Sequence, residues 1–288
     1  MVFIRVNQRK EFRFIALSET GRDNIPQSIL NTICAGKDFL WHVKPPKGRS
    51  GGMLIGVNLL TYDIGSIEEG EFFVRFKLRN RADDFIWNLV SVYGPAQQEH
   101  KHNFLTELVQ LCSKETIPIM IGGDFNILRG PWEKNNDNYN GRWPFLFNAI
   151  IDAFNLRKIE LSGRNYTWAN NLINQTFEKL DRVLVCTDLE GKFPHTTVYA
   201  LNREISDHTP LLVNTGDLSS TYQPQFKFEL GWLLREGFMD MVTNIWHNTL
   251  VEGTALQRWQ TKIRKLRQYL RGWAKHISGH YKKKRRRS

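Results

Sequence analysis

The chain has 288 residues, of which 41% are hydrophobic and 12% aromatic, so it can form a packed core and is not disordered throughout. Its net charge of +11 is unevenly distributed: no Asp or Glu follows Glu252, whereas segment 258–287 contains 13 of the 40 Lys and Arg. The sequence lacks an apolar run of membrane-spanning length and a secretory signal, and its three cysteines suggest neither disulfides nor a zinc site. We expect a soluble intracellular protein, in the nucleus or cytoplasm and not secreted.

Residues 1–215 are predicted to form a layered α/β domain, because many apolar runs of strand length alternate with a few segments of helical spacing. We predict strands near residues 12–17, 39–43, 52–57, 71–78, 85–93, 117–121, 165–168, 178–185, 196–200 and 210–213. We predict helices near residues 25–34, 102–112 and 144–154, and a loop at 130–142.

The remainder of the chain differs in composition, and we predict a linker at 216–225, a helical segment at 226–281 and a basic tail at 282–288. Apolar residues at alternating three- and four-residue spacing predict an amphipathic, coiled-coil-like helix over 256–277, formed by Leu256, Trp259, Ile263, Leu266, Leu270, Trp273 and Ile277. This helix can pack on its own body or on a neighbouring domain, or it can self-associate. The sequence indicates no obligate protein partner.

Two short motifs carry most of the functional information. The apolar run 119–121 ends in two glycines that are followed by Asp124 and Asn126, and a second motif places Asp207 beside His208. Buried strands of α/β proteins that end at such residues gather polar groups in a cleft. Metal binding and acid–base catalysis both need groups of this kind.

Each polar residue at a predicted strand end also has a structural explanation when it is taken alone. Glu19 can cap a turn, Asp124 can form an Asx turn, Asp181 can pair with Arg182 in solvent, and His208 can be a structural histidine. Together, however, four carboxylates beside buried strands would repel one another unless a cation lay among them. A hard divalent ion with oxygen ligands fits, and Mg²⁺ is the natural candidate, with Mn²⁺ as an alternative.

Over residues 12–215 the chain resembles the endonuclease/exonuclease/phosphatase superfamily. The most specific motifs are Gly-Asp-Phe-Asn at 123–126 and Ser-Asp-His at 206–208. Ser18-Glu19-Thr20, Val92-Tyr93-Gly94-Pro95 and Leu180-Asp181-Arg182 are similar to three further family motifs and follow the same order. The resemblance implies a four-layer α/β/β/α sandwich with mostly antiparallel sheets, followed here by the helical appendage.

Within that superfamily the sequence most resembles the endonuclease domain of plant LINE-type, non-LTR retrotransposon polyproteins. The segment 165–171 and the run 180–185 are similar to their residues around the Asp that pairs with the catalytic His. Phe226–Glu229 and the helix around Leu270–Ala274 resemble the linker that leads into reverse transcriptase. No reverse transcriptase follows, so the resemblance implies a truncated element or a fragment.

The beginning of the chain departs from the family pattern. The family begins with a strand that carries an active-site Asn, then a helix, then the strand that ends in the metal-binding Glu. Only 18 residues precede Glu19, and the nearby Asn7 has the wrong spacing. We therefore expect the first strand and helix to be missing or replaced, which leaves an exposed sheet edge or a groove.

The resemblance also implies roles for the motif residues in phosphodiester hydrolysis. Glu19, helped by Asp207, would hold the magnesium ion against the phosphate. Asp124 would orient or deprotonate the attacking water, and Asn126 would fix the phosphate or that water.

The remaining roles concern the imidazole and the phenol of the site. His208, with its tautomer and charge set by Asp181, would donate a hydrogen bond to the transition state. Tyr93 would contact the phosphate. The sequence leaves open whether His208 or Asp124 is the base.

The implied partner is DNA, and its expected contacts lie mainly in the basic C-terminal region. Clustered cations give salt-dependent affinity that is independent of DNA sequence, and the final run can also serve as a nuclear import signal or be a solvated end. The residues that we predict to bind nucleic acid are Thr167, Arg258, Lys262, Arg264, Lys282, Lys283, Lys284, Arg285, Arg286 and Arg287.

Three functional hypotheses follow. The first is a nicking endonuclease, impaired or not by the loss of its first strand. The second is a phosphoesterase of the same superfamily that acts on a small molecule or a lipid, although it would need neither the tail nor the linker. The third is an inactive retroelement relic that binds nucleic acid without cutting it.

Overall fold

A computed structural model describes most of the first 216 residues and part of the remainder. The described residues are 2–6, 12–47, 51–170, 172–203, 206–216, 232–233, 235–249, 254–255, 258–259, 261–263, 265–266 and 269–270. The chain divides into two compact units, residues 1–217 and 218–288. The finer division predicted from composition stays a prediction, because most residues of the expected linker and tail lie outside the described part.

The first unit contains fifteen strands and four α-helices among its described residues. The strands are β1 (Val2–Val6), β2 (Phe12–Ser18), β3 (Phe39–Lys44), β4 (Met53–Asn58), β5 (Tyr62–Glu69), β6 (Phe73–Asn80), β7 (Ile86–Tyr93), β8 (Ile119–Asp124), β9 (Arg157–Lys158), β10 (Leu161–Ser162), β11 (Trp168–Ala169), β12 (Phe177–Glu178), β13 (Asp181–Val185), β14 (Thr197–Ala200) and β15 (Leu211–Asn214). The helices are α1 (Gln27–Ile33), α2 (Lys101–Ser113), α3 (Arg142–Ala153) and α4 (Thr187–Lys192).

These strands form two large sheets and one small hairpin. The seven-stranded sheet has the order β10-β14-β15-β1-β2-β4-β3, and the six-stranded sheet has the order β5-β6-β7-β8-β13-β9. Strands β11 and β12 pair with each other. Most neighbours are antiparallel, and the parallel pairs in the described part are β1 with β15, β10 with β14, and β7 with β8.

The main core lies between the two sheets. Phe14, Ile55 and Leu211 from the seven-stranded sheet share one buried cluster with Phe76 and Val183 from the six-stranded sheet. Because side chains alternate across a strand, each sheet also has a second face that needs cover.

Helices cover those outer faces. Leu30 of α1 packs with Leu54 on the outer face of the seven-stranded sheet. On the other side, Leu108 of α2 and Phe147 of α3 share a buried cluster with Ile121 of β8. The layers are therefore helix, sheet, sheet and helix, and the mixed α/β class and four-layer architecture expected from the sequence are confirmed.

The sheet edge or groove that we expected at the beginning of the chain is absent from the described residues. Strand β1 pairs in parallel with β15 and antiparallel with β2, so it fills the place between them. Backbone hydrogen bonds to both neighbours remove the open edges that a deleted strand would leave. The first strand is thus replaced by residues 2–6, which contain no Asn, and Asn7 lies outside the described residues.

Some predicted elements differ from the observed ones in extent. The run predicted as one strand at 178–185 is two strands, because β12 ends at Glu178 and β13 begins at Asp181. Strands β1, β5, β9 and β10 and helix α4 were not predicted from the sequence. Strand β5 is only partly buried, β9 and β10 have two residues each, and α4 has six. Within α1, Ile29 is 41% exposed and Leu30 is buried.

Gly123 of β8 occupies a position that no other residue fits. Its φ is +150°, and an added Cβ would lie 2.0 Å from the carbonyl oxygen of Val92. We expect Gly123→Ala to lower the free energy of unfolding by about 4 kcal/mol or more, because backbone would have to move beside Asp124. Gly191→Ala is the matched control, since no atom lies within 4 Å of its added Cβ. Equal stability of the two variants in urea unfolding would contradict this account.

The second unit contains helix α5 (Phe238–Asn248). Trp232, Phe238 and Leu270 form a buried cluster, with Leu266 packed against it. The described residues between 255 and 270 are helical, so part of the predicted apolar seam packs against α5. Self-association of the helix stays a prediction, and the seam positions Leu256, Trp273 and Ile277 lie outside the described residues.

Candidate active site

The register of three neighbouring strands aligns three polar residues of the sequence motifs. Tyr93 at the end of β7 lies opposite Asp124 at the end of the parallel strand β8. Asp181, which begins the antiparallel strand β13, pairs with Asp124 from the other side. Three strand termini of the six-stranded sheet therefore present their side chains at one end of that sheet.

His208 forms a buried pair with Asp181. Its Nδ1 lies 2.9 Å from Oδ2 and 3.1 Å from Oδ1 of Asp181, and both residues are nearly inaccessible to solvent. A carboxylate on Nδ1 fixes the tautomer, so that Nδ1 carries a proton. The family resemblance implied that these two residues pair, and the structure brings them together.

Asp124 is oriented by its neighbour Asn126. The backbone N–H of Asn126 donates to Oδ1 of Asp124 at 2.9 Å, and its Nδ2 donates to Oδ2 at 2.8 Å. The same Nδ2 donates to the carbonyl oxygen of Gly94 at 2.9 Å. Asn126 has a φ of +50°, a left-handed conformation that Asn tolerates better than most residues, and this conformation turns both donors towards Asp124.

Lys101 supports this turn and was not identified from the sequence. Its Nζ donates to the carbonyl oxygen of Asn126 at 2.7 Å, and the side chain is buried at the start of α2. Burial lowers the pKa of Lys101, while the charges of Glu178 and Asp124 oppose that shift. A lysine at the start of an amphipathic helix is normally expected to be exposed to solvent. Only the folded structure could show that Lys101 faces inward.

His208 and Asp124 face each other without forming a hydrogen bond. Nε2 of His208 lies 3.8 Å from Oδ2 of Asp124, beyond hydrogen-bonding distance. Burial lowers the pKa of His208, but the hydrogen bond and charge of Asp181, with the charge of Asp124, outweigh it and raise that pKa to about 9. Burial, followed by the charge of Asp181, raises the pKa of Asp124 to about 7.

Glu19 and Tyr93 connect the two sheets at the same end. The phenolic hydroxyl of Tyr93 donates to Oε1 of Glu19 at 2.9 Å. Burial, the charge of Glu19 and this hydrogen bond raise the pKa of Tyr93, so the phenol stays protonated and remains a donor. Glu19 has a φ of +61°, and its backbone N–H donates to the carbonyl oxygen of Gly52 at 2.9 Å. The turn after β2 therefore fixes Glu19 beside β7.

Thr167, predicted to contact nucleic acid, is only 1% exposed. Its Oγ1 accepts hydrogen bonds from the backbone N–H groups of Leu180 and Asp181, at 3.0 and 2.9 Å. The hydroxyl therefore holds the beginning of β13 and, with it, the Asp181 carboxylate. The contact of Thr167 with nucleic acid stays a prediction, and this structural role is an addition to it.

Arg182 is not the solvated partner of Asp181 that we considered. It is 2% exposed, and its Nη2 donates to Oε2 of Glu133 at 2.9 Å. Its Nη1 donates to the carbonyl oxygen of Ile127 at 2.6 Å, and the guanidinium lies over the rings of Phe125 and Phe147. Arg182 therefore anchors the loop after Asn126 to β13, and it leaves Asp181 to pair with His208.

The predicted nucleic-acid contacts of the C-terminal region are described only in part. Arg258 is exposed. Nζ of Lys262 donates to the carbonyl oxygen of Trp246 at 2.7 Å and lies over the Trp246 ring. Arg264 and the tail residues Lys282, Lys283, Lys284, Arg285, Arg286 and Arg287 lie outside the described residues, and their role in binding nucleic acid stays a prediction.

Comparison with known proteins decides the family. Residues 11–208 match the model of the Endonuclease/Exonuclease/phosphatase family, and the match includes every motif residue from Glu19 to His208. The chain belongs to this family. No curated protein matches the chain in sequence.

Solved structures with the same fold include two endonucleases. One is the AP endonuclease LMAP from Leishmania major, with 13% identity over 73% of this chain and 86% of that chain, and a TM-score of 0.55. The other is the endonuclease domain of TRAS1, a telomere-specific non-LTR retrotransposon, with 16% identity over 74% of this chain and 97% of that chain, and a TM-score of 0.51. At this identity the likeness concerns the fold.

Enzymes of the family use divalent metal ions, and the residues of this chain suit one. The ligand atoms of Asp124, Asp181 and His208 lie within 4.8 Å of one another, but the hydrogen bond between His208 and Asp181 already commits two of these three residues to each other. Oε1 of Glu19 and Oδ2 of Asp207 each accept one hydrogen bond, and among the described residues no donor reaches the second oxygen of either carboxylate. Carboxylate oxygens suit a hard divalent cation. Within the described part of the chain, no helix is long and apolar enough to span a membrane.

The buried His208 gives this family member a pH-dependent stability. The folded state binds a proton on His208 more tightly than the unfolded state, whose imidazole titrates near 6.5. This contribution is complete below about pH 6.5 and is lost as the pH rises through about 9, which amounts to about 3 kcal/mol at most. Urea unfolding at pH 6.5, 7.5, 8.5 and 9.5 measures it. A free energy of unfolding that is constant or rises over this range would contradict the pairing of His208 with Asp181.

Proposed function

We propose that this chain hydrolyses phosphodiester bonds of DNA and nicks the duplex, with Mg²⁺ as its metal ion and Mn²⁺ as the alternative. The observation that carries the proposal is the imidazole of His208, which Asp181 holds on one side while Asp124 faces it at 3.8 Å on the other. The arrangement Asp181–His208–Asp124 combines a fixed cation, His208, with a carboxylate of raised pKa, Asp124. Hydrolysis of a phosphate diester needs both.

In this arrangement His208 is the positively charged hydrogen-bond donor. With a pKa of about 9 it is an imidazolium at neutral pH, and its Nδ1 proton is committed to Asp181. Its Nε2 proton forms no hydrogen bond with Asp124, so it is available to a phosphate oxygen on which negative charge develops. A protonated His208 cannot accept a proton, so we assign the base to Asp124.

Asp124 has the properties of a base that operates near neutral pH. Its pKa is raised to about 7, and Asn126 holds both of its oxygens in one orientation. A base whose pKa lies near the working pH combines a useful ionised fraction with a favourable proton transfer. Asp124 would take the proton of the attacking water, and Lys101 would keep the turn at Asn126 in place.

Glu19 and Asp207 would hold the magnesium ion through their second carboxylate oxygens. When bound, such an ion neutralises charge on the phosphate and stabilises the leaving oxygen. Tyr93 fixes Glu19 through the hydrogen bond from its hydroxyl, and we expect it to contact the phosphate as well.

Two observations support DNA as the substrate. The two similar structures named above are endonucleases by their descriptions. In addition, segment 258–287 carries 13 cations and no acidic residue, which suits a polyanion and gives affinity that falls with salt. The origin in a retrotransposon of the LINE type and a location in the nucleus belong to the same proposal.

The test is conversion of supercoiled plasmid to open circle with Mg²⁺ or Mn²⁺. We expect nicking by the full chain that disappears with chelator and in Asp207→Ala. Bis(p-nitrophenyl) phosphate, a small diester, is assayed in parallel. Hydrolysis of this diester without nicking would favour the small-molecule phosphoesterase. A folded protein that binds plasmid and cuts neither substrate would be the inactive relic, and the proposal would fail.

A further inference from the structure

The side chain of Trp168 makes a specific contact with the candidate metal ligand Asp207. Its Nε1 donates to Oδ2 of Asp207 at 2.9 Å. An indole N–H can only donate, and a hydrogen bond to a carboxylate is among the stronger kinds. The bond therefore occupies one oxygen of Asp207 and determines the direction in which the other points.

The backbone around Trp168 fixes this contact from both sides. Trp168 forms an antiparallel bridge with His208. The N–H of Ala169 donates to the carbonyl oxygen of Asp207 at 3.1 Å, and the N–H of Thr209 donates to the carbonyl oxygen of Thr167 at 2.7 Å. Segment 167–169 thus binds segment 207–209 at three successive positions. With the backbone held in this way, the hydrogen bond from the indole limits the rotation of the Asp207 carboxylate about its side-chain bonds.

The same short segment also reaches the His208 pair. The Thr167 hydroxyl accepts hydrogen bonds from the backbone N–H groups of Leu180 and Asp181, at the beginning of β13. A displacement of β11 would therefore disturb the Asp181–His208 pair through the backbone and through Thr167, whereas loss of the indole N–H alone would disturb only Asp207. This difference separates the role of the side chain from that of the strand.

We infer that Trp168 is a positioning residue that orients the Asp207 carboxylate for a divalent ion. The inference rests on the proposed function in one respect, namely that Asp207 binds the ion. When the group that donates a hydrogen bond to a metal-binding carboxylate is removed, the affinity for the metal usually falls about 10- to 100-fold. Because the indole is itself the donor, Trp168 is also an optical reporter of the ion.

The experiment compares the full chain with Trp168→Phe, which keeps an aromatic ring and removes the N–H. The exposed Trp132, which is 72% accessible to solvent, provides the matched control Trp132→Phe. For each protein, Mg²⁺ and Mn²⁺ are titrated while tryptophan emission and plasmid nicking are recorded separately. Circular dichroism verifies that each variant is folded.

For Trp168→Phe we expect the metal concentration at half-maximal nicking to rise about tenfold or more, with the rate recovered at saturating metal. We also expect the metal-dependent change in emission to disappear in Trp168→Phe and to remain in Trp132→Phe. Asp207→Asn, which retains Trp168 and weakens the ligand, should lose the change in emission too. This variant keeps the test decisive if Trp168→Phe does not fold.

A Trp168→Phe variant with the metal dependence of the unmodified chain would overturn the inference. So would an emission change that persists unaltered in Asp207→Asn. If the unmodified chain shows the Trp168-dependent change in emission but nicks no DNA, the proposed function fails and the positioning of Asp207 stands. If it nicks DNA with no emission response from Trp168, the proposed function stands and the positioning of Asp207 by Trp168 fails.

Discussion

His208→Ala is expected to lower the rate of plasmid nicking by about 1,000-fold at pH 7.5 and saturating Mg²⁺. The substitution removes a preorganised cationic donor, and loss of one such donor from a transition state costs about 100- to 1,000-fold. It also leaves the buried carboxylates of Asp181 and Asp124 without the charge between them. Single-turnover nicking assays measure the rate, and binding of uncut plasmid should change little.

The exposed His102 on α2 offers a matched control. His102→Ala should nick at the rate of the unmodified chain, so that a loss confined to His208→Ala reports on the site. A folded His208→Ala variant that retains a tenth or more of the rate would show that the imidazolium is not the group that stabilises the transition state.

Asp181→Asn is expected to shift the alkaline limb of the pH–rate profile. In the unmodified chain we expect that limb near pH 9, because the proposed mechanism requires protonated His208 and Asp181 raises the pKa of His208. Without the negative charge, burial lowers the pKa of His208 to its ordinary value near 6.5 or below. The protonated fraction then falls tenfold for each pH unit above that value. The rate deficit of Asp181→Asn should therefore be about tenfold at pH 7.5 and about 100-fold at pH 8.5.

Nicking rates between pH 5.5 and 9.5 test this expectation, with Asp152→Asn on the exposed face of α3 as the control. At pH 5.5 the deficit should be smallest, since His208 is then largely protonated in both proteins. A deficit that is independent of pH would mean that Asp181 aligns His208 without setting its charge. An Asp181→Asn profile that coincides with that of the unmodified chain would remove Asp181 from the mechanism.

The motifs of the sequence predicted which residues meet, and they did so for a local physical reason. Asp124 and Asn126 follow a fully apolar strand, and such a strand must be buried and must deliver its polar end to an edge. The pairs Asp124–Asn126 and Asp181–His208 are accordingly found together, whereas the contact of Tyr93 with Glu19 was not predicted. Their roles in catalysis stay predictions until the variants are assayed.

Residues whose environment depends on distant segments were not predictable in this way. Lys101, Arg182 and Trp168 look like ordinary helix, turn and strand residues, and each makes its contact with a segment at least 25 positions away. The same holds for β1, whose partners β2 and β15 lie at opposite ends of the first unit. Nothing in the local sequence of residues 2–6 indicates a strand that fills a missing place in the sheet.

By itself, the sequence determined the fold class, the family and the set of polar strand ends, because apolar periodicity and the order of the motifs are properties of short segments. Only the tertiary structure gave a physical basis for the proposal that Asp124, and not His208, is the base. That proposal depends on the pKa values of Asp124 and His208, which are set by burial and by charges from two different strands and a loop. Electrostatic coupling between these groups acts through space, so their pKa values follow from the folded structure and not from the local sequence.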